Sequence, residues 1–570
     1  MPKTGLHATA QASNLARIGL WAALVVLALP VLAGLAGVIG PAFGYFPGLG
    51  STQFSLDPMR ALFAWPGLGS AMRLSVTTGF LATGLSLALT LLIVAAWQGT
   101  RSFLWVTRAL APFLALPHAA AAFGLAFLIA PSGWIARAFS PWATGWDRPP
   151  DLLLVNDPLG LALVAGLVLK EVPFLLLVML AALPQTDSLR SQLVARALGY
   201  GRVTGWLKAV APRVYAQIRL PVYAVLAYSM SVVDVALILG PTRPPTLAVQ
   251  ILEWSTHPDL AMRFQAAAGA VLQLGLVLVA LAIWRWAEWG IGRLGIRWAA
   301  GGARGQGIDT VLRPLGAAGA VLIGLAVGLG LAGLLVWSFA GLWRFPLVWP
   351  EVWTLRNWTG QSGDLTRIMR DTAAIAFGST LTALGLAIAA LQASTRPGRA
   401  RLGLIYLPLI VPQIAFLPGL ASFALVLGVD GTRLAVGMVH LIFVLPYVYL
   451  VLADPWRAWD ARAGVAASAL GASPLRVLWS VRLPMLTRAL AVAFAVGFAT
   501  SVAQYLPSLL IGAGRVSTVT TEAVALASSA NRRLIGVWAV VQMAPPMAMF
   551  GLCLAVPGLL FRKRQGMRIS

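Results

Sequence analysis

Residues 193–212 read LVARALGYGRVTGWLKAVAP, and residues 465–484 read VAASALGASPLRVLWSVRLP. In each stretch a glycine, Gly199 or Gly471, is followed thirteen residues later by a proline, Pro212 or Pro484. The step of 272 residues from Gly199 to Gly471 also relates Gly240 to Gly512, Arg243 to Arg515 and Thr246 to Thr518. The chain reads as a tandem duplication. Around the first copy, Leu189, Leu193, Val194, Ala197 and Leu198 recur at helical spacing, with Arg190 and Arg196 on another face. Gly199 interrupts this helix where a side chain would be costly, and a second short helix is expected over Arg202 to Ala209. The second copy repeats the plan, with Ala466 to Leu470, then Gly471, then Ser473-Pro474 as a helix start. Such a short, exposed helix suits the groove of another protein. It would equally rest on lipid headgroups through its arginines.

The 570 residues are 59% hydrophobic and 11% charged, far more apolar than a soluble domain. Twelve segments reach the roughly 20 apolar residues a membrane-spanning helix needs. They run 18–40, 70–96, 106–131, 158–182, 217–241 and 263–287, then 313–340, 372–395, 402–428, 433–455, 488–513 and 534–560. The net charge is +24, and its placement decides what it means. With these spans, one side carries 27 Lys/Arg against 5 Asp/Glu and the other 14 against 11. This is the positive-inside bias of a bacterial inner-membrane protein, with both termini expected in the cytoplasm. The N-terminal run after Lys3 and Arg17 is longer than a signal-peptide core and reads as an uncleaved span. Arg562-Lys563-Arg564 places the other end on the same side. No compact basic domain remains for nucleic acid.

The expected fold is therefore an all-α polytopic membrane protein of about 12 transmembrane helices in two tandem six-helix repeats. Residues 1–300 form the first repeat, 301–312 a linker and 313–570 the second. Gly301-Gly302-Ala303-Arg304-Gly305-Gln306-Gly307 reads as flexible. Even span numbers make the repeats parallel, so that they enclose a path between them. Prolines inside spans, such as Pro112, Pro117, Pro173, Pro408, Pro412 and Pro446, read chiefly as kinks. Gly324, Gly328 and Gly330 read as helix contacts. Trp134, Trp142, Trp146, Trp254, Trp343, Trp349, Trp353 and Trp358, in loops on the other side, suit interfacial anchoring or a docking surface.

Several chemistries are excluded by the residues present. Lys3, Lys170, Lys208 and Lys563 follow Pro, Leu, Leu and Arg, so no Gly-Lys pair exists to build a P-loop. His7, His118, His257 and His440 are scattered, which argues against a metal site. The single cysteine, Cys553, permits no intrachain disulfide. No catalytic residues or bound cofactors are expected.

The twofold stretch resembles the cytoplasmic signature loop of type I ABC importer permeases, with the pattern E-A-A-x3-G-x9-I-x-L-P. Ala466, Ala467, Gly471, Val481, Leu483 and Pro484 match it in register, while the first copy matches through Val194, Ala195, Gly199 and Pro212. Leu193 and Val465 stand where the family has glutamate. The resemblance implies a MetI-like core and signature loops over about 183–216 and 456–487. Ala195, Gly199, Gly201, Pro212, Ala467, Gly471, Ser473 and Pro484 would shape these loops for coupling. It also implies a separate ATP-binding cassette dimer holding ATP and Mg, and a periplasmic or lipid-anchored substrate-binding protein. The fused form is similar to permeases for ferric iron, thiamine and related solutes.

Charges in hydrocarbon cost about 2.5 kcal/mol or more, so Lys170, Glu171 and Asp234 need explaining. Lys170 and Glu171 suit a structural ion pair or a helix-orienting role, and Glu171 is also a pathway candidate. The resemblance places Ser231, Asp234 and their counterparts near step 270, Ser501 and Gln504, beside the path. Hydrogen bonds holding the halves together are an equal reading. An ion-driven secondary transporter, or a membrane-embedded enzyme or scaffold, remain the rival functions. Uptake that survives loss of an ATPase would favour the first, and reconstitution without substrate-stimulated ATP hydrolysis the second.

Overall fold

The computed structural model describes residues 3–393, 399–529 and 531–560. The basic Arg562-Lys563-Arg564 cluster and the expected span end at Thr395 lie outside the described residues. The described chain is all helix and loop, an all-α polytopic membrane protein. In the first half the principal helices are α1 (Lys3–Ala42), α2 (Leu68–Trp97), α3 (Arg101–Ala115), α4 (His118–Ile129), α5 (Leu161–Ala182) and α6 (Ser188–Ala197). They continue with α7 (Arg202–Ala209), α8 (Ala211–Ser231), α9 (Asp234–Leu239), α10 (Leu247–Ser255) and α11 (Met262–Ala300). The second half runs through α12 (Gln306–Phe339), α13 (Ser362–Ala393), α14 (Arg399–Ile410), α15 (Gln413–Val426), α16 (Arg433–Ala458) and α17 (Ala461–Ala469). It closes with α18 (Pro474–Val477), α19 (Thr487–Val502), α20 (Leu506–Gly512), α21 (Val519–Ala525) and α22 (Arg532–Leu560).

Helix for helix the two sets follow the same order. One pair of hydrogen bonds shows how closely the geometry repeats. The N–H of Leu247, opening α10, donates to the Ser75 hydroxyl at 3.1 Å, and the N–H of Val519, opening α21, donates to the Thr372 hydroxyl at 3.0 Å. The step between copies is not constant, however. Ser75 and Thr372, like Pro117 and Pro412, are spaced more widely than the 272 residues separating Gly199 from Gly471. The difference lies in the connection after the fourth helix, Ala130–Gly160 in the first half against the short Leu427–Thr432 in the second.

Among the described residues nine helices are long and apolar enough to span, or eleven if two bent pairs each count as one. About twelve spans were expected, with their internal prolines read chiefly as kinks. The expected third and ninth spans are each broken. Leu116 and Pro117 separate α3 from α4, and α14 meets α15 at 90° across Val411-Pro412. A proline disfavours helical conformation in the residue before it and offers no N–H to the preceding turn. The expected fifth span, 217–241, also divides. Its helix α8 carries Arg213 and Arg219, stops at Val232-Val233, and gives way to the six-residue α9. Hydrophobic run length registers none of these breaks, because it counts apolar residues without regard to backbone direction.

The first helix of each half packs on the other half. Helix α1 lies chiefly against α15 and α13, and α12 against α4, α2 and, in its own half, α22. Glycines permit both crossings. A Cβ on Gly34 would lie 2.3 Å from the Phe416 carbonyl oxygen, and one on Gly330 would lie 2.8 Å from the Gly124 carbonyl carbon. Of the three glycines expected to make contacts in this helix, only Gly330 does; Gly324 and Gly328 face open space. With no hydrophobic drive between helices in lipid, such close backbone approach is a principal source of association. The exchange ties the halves into one apolar core containing residues of both.

Candidate functional site

Both recurrent stretches, 193–212 and 465–484, fold as helix, turn and helix. In the first, Gly199 N–H donates to the Arg196 carbonyl at 2.9 Å and Tyr200 N–H to the Ala195 carbonyl at 3.1 Å. In the second, Gly471 N–H donates to Ser468 and Ala472 N–H to Ala467, both at 3.0 Å. These paired bonds form a Schellman cap, which requires a left-handed residue after the last helical one. Gly199 and Gly471 supply it with φ of +81° and +86°. Beyond the turn, α7 and α18 lead to Pro212 at the start of α8 and to Pro484 in the turn before α19. Between α18 and that turn, residues 478–482 form a π-helical turn, followed by a 77° bend into α19.

The outer faces of these loops are apolar. Leu189, Leu193, Val194 and Leu198 are exposed in the first, and Val465, Leu470, Leu475 and Trp479 in the second. Leu193 and Val465, at the glutamate position of the pattern, are 65% and 69% exposed. Asp460 caps α17 by accepting from the Arg462 N–H at 3.0 Å, and its hydrogen bonds with Arg462 hold its carboxyl below the usual carboxylate range. The two loops lie on the same face of the protein. Gln185, entering the first, approaches Asp454, entering the second, to 3.5 Å.

The loops differ in what supports them. Ala195 and Gly201 are buried, while Gly471 and Ser473 are exposed. Gln98, at the end of α2, donates to the Ser188 hydroxyl at 2.7 Å and accepts from the Trp206 indole at 2.8 Å, joining α6 to α7. Residues 301–309 are likewise docked rather than loose, a correction to their reading as a flexible linker. Gly201 N–H donates to the Arg304 carbonyl at 2.8 Å, Lys208 to the Ala303 carbonyl at 2.7 Å, and Gln306 to the Gly199 carbonyl at 2.8 Å. Glycine content marks backbone freedom, but these contacts use that freedom to bring backbone close to the loop. Burial lowers the Arg202 pKa, Arg196 and Arg313 add to the effect, and Asp309 opposes it.

Within the spans, Lys170 finds a partner in a broken helix. It donates to the carbonyls of Phe113 at 3.0 Å and Leu116 at 2.5 Å. Pro117 has no N–H, so the Phe113 carbonyl lacks its ordinary helical donor. Lys170 thus closes the α3–α4 break, in keeping with the helix-orienting alternative. Glu171 faces His118 at 3.9 Å, and the His118 ring lies 5.1 Å from that of Tyr228. Across the halves, the Phe174 ring lies 6.2 Å from that of Tyr447, and Tyr505 is buried at the break between α19 and α20. Tyr447 comes from the second half and Phe174 and Tyr228 from the first, so both halves contribute aromatic rings here.

Ser501 belongs to a different network. His440 bonds Ser501 at 2.8 Å and Ser508 at 2.9 Å, and Ser501 receives Ser379 at 3.1 Å. Ser231 donates to the Ala227 carbonyl of its own helix at 2.7 Å. Gln504 is buried in the break between α19 and α20. Since α9 opens at Asp234 and α20 at Leu506, the local step is 272, and Leu506 replaces Gln504 as the positional counterpart of Asp234. The Lys170, Glu171 and Asp234 side chains belong to one half and the serine–histidine network to the other. Among the described residues, no group of three or more His, Cys, Asp or Glu is arranged to hold a metal.

On the opposite face the tryptophans divide between packing and exposure. Trp134 packs edge-on to Trp349 at 5.4 Å, and buried Arg137 donates to the Arg344 and Leu347 carbonyls at 2.8 Å. Trp254 is buried against Trp65. Trp142, Trp349 and Trp353 remain largely exposed. The residues least visible in sequence were Gln98, Asp309 and the three tyrosines. Gly201 standing opposite the helix-starting Ser473 was the one clue to Asp309.

The chain is 32% identical over 558 residues to the inner membrane ABC transporter permease protein YnjC of Escherichia coli (strain K12). The alignment covers 96% of this chain and 98% of that protein. No protein-family model matches the chain.

Proposed function

This chain belongs to the ABC transporter permeases, multi-pass proteins of the bacterial inner membrane that work with an ATPase, and from that premise we propose a type I importer with two fused repeats. Its halves enclose one solute path, with both termini cytoplasmic. A dimeric ATPase carrying ATP and Mg docks under loops 183–216 and 456–487, and a binding protein delivers solute from the other side. The observation that carries this reading is the helix–glycine turn found in both halves, with the same cap and an exposed apolar row. Leu193 and Val465 make that contact hydrophobic where a glutamate would make it charged.

Glu171, Asp234, Ser231, Ser501 and Gln504 border the path in this proposal. Glu171 and Asp234 suit a small cation through charge, and the aromatic rings of Tyr228 and Tyr447 on the neighbouring helices through their faces. Ferric iron, thiamine or a related solute fits that description. A delivering binding protein that carries an anion would overturn the cation assignment.

The docking test is purification of the full chain from its native membrane, with retained subunits identified by sequence. The expected result is a P-loop ATPase retained by the wild type and lost when Leu193→Asp and Val465→Asp are combined. Absence from the wild type, or retention by the double variant, would refute the docking role. Solute uptake that survives deletion of the ATPase and collapses with an uncoupler would point instead to an ion-driven carrier.

A further inference from the structure

We infer that Asp309 is the positioning residue of the first coupling loop, fastening it to the junction between the two halves. The inference rests on the coupling role proposed above. A helix start leaves backbone N–H groups without helical partners, ordinarily satisfied by a Ser, Thr, Asp or Asn at the cap position. In the second loop Ser473 does this for α18, accepting from the Arg476 N–H at 3.4 Å. Its counterpart 272 residues earlier is Gly201, which has no side chain to offer.

Asp309, from the first turn of α12, supplies the missing cap from 105 or more residues away in sequence. Its carboxylate accepts from Val203 N–H at 2.9 Å, and from both the N–H and the hydroxyl of Thr204 at 3.3 Å. The substitution is mutual. A Cβ at position 201 would lie 2.7 Å from Asp309 Oδ2, so Gly201 leaves room for the carboxylate that replaces its own cap. Asp309 is itself buried, and Arg304, Gln306 and Ala303 hold the neighbouring backbone to the same loop.

The consequence is an asymmetry between the two coupling loops. Movement of α7 is transmitted through Asp309 to the start of α12, the helix that crosses back over α4 and α2. The second loop is capped from within by Ser473. The junction therefore acts as a strut for one loop.

The arrangement predicts an unusual pattern in three variants of the full chain in lipid nanodiscs. Asp309→Ala should speed amide hydrogen exchange at Val203 and Thr204 by about tenfold and weaken binding of the co-purifying ATPase by a similar factor. Gly201→Ser alone should also speed exchange, because its Cβ meets the carboxylate. The combined Asp309→Ala, Gly201→Ser chain should recover both properties, since the introduced hydroxyl then caps α7 as Ser473 caps α18. Unchanged exchange in Asp309→Ala, or no recovery in the combined chain, would overturn the strut. Faster exchange with unchanged ATPase affinity overturns it too, provided the Leu193→Asp, Val465→Asp chain loses the ATPase. If that chain also keeps its ATPase, the coupling role itself is refuted.

Discussion

Single residues here answer backbone requirements that hydrophobicity cannot express. Gly471 adopts φ of +86° in the Schellman turn, a region that costs an L-residue about 1–2 kcal/mol. Gly471→Leu should therefore loosen the turn. ATP hydrolysis by the assembled complex should persist while uptake falls at least about tenfold; unchanged uptake would detach the turn from coupling. Lys170 illustrates a second requirement, because a buried carbonyl without a donor costs about 1–3 kcal/mol. Lys170→Met should lower the thermal midpoint of the purified chain, and Lys170→Gln should lower it less by keeping an N–H donor. Equal midpoints for all three proteins would show that the α3–α4 break does not need this donor.

Among the elements, the paired breaks and paired crossings matter most. Helices α3 and α4 part at Pro117, and α14 and α15 at Pro412, so each half has a break at a proline that the sequence reading took for a kink. The exchanged first helices fit their partners through glycine. Gly34→Leu would push a side chain against the Phe416 backbone, and Gly330→Leu against Gly124. Hydrogen exchange should rise in 413–426 for the first variant and in 118–129 for the second. The opposite assignment would mean that each first helix serves its own half. Both prolines were visible as sequence features, but a proline also fits a continuous kinked helix, and only the packing of the flanking segments distinguishes kink from break.

Across the whole molecule, the close approach of Gln185 to Asp454 brings the entrances of the two loops together. In a Cys553→Ser background, Gln185→Cys and Asp454→Cys should cross-link with a short bis-maleimide. The link should arrest uptake, because alternating access requires the halves to move relative to one another. A linked protein that still transports would place the moving parts elsewhere. The ring contact of Phe174 with Tyr447 is also a property of the assembled molecule, since the two rings come from different halves.

The sequence by itself determined the membrane class, the all-helical architecture and the recurrent loops with their glycine turns. Those features depend on local quantities, namely apolar run length, helical spacing and a backbone angle that glycine adopts freely. Tertiary structure decided where the spans break, which half each first helix serves, and how the glycine-rich junction is held. Each of those outcomes turns on contacts between residues distant in the chain. Asp309 is the clearest case, a first-turn carboxylate of α12 that folding sets against the uncapped start of α7.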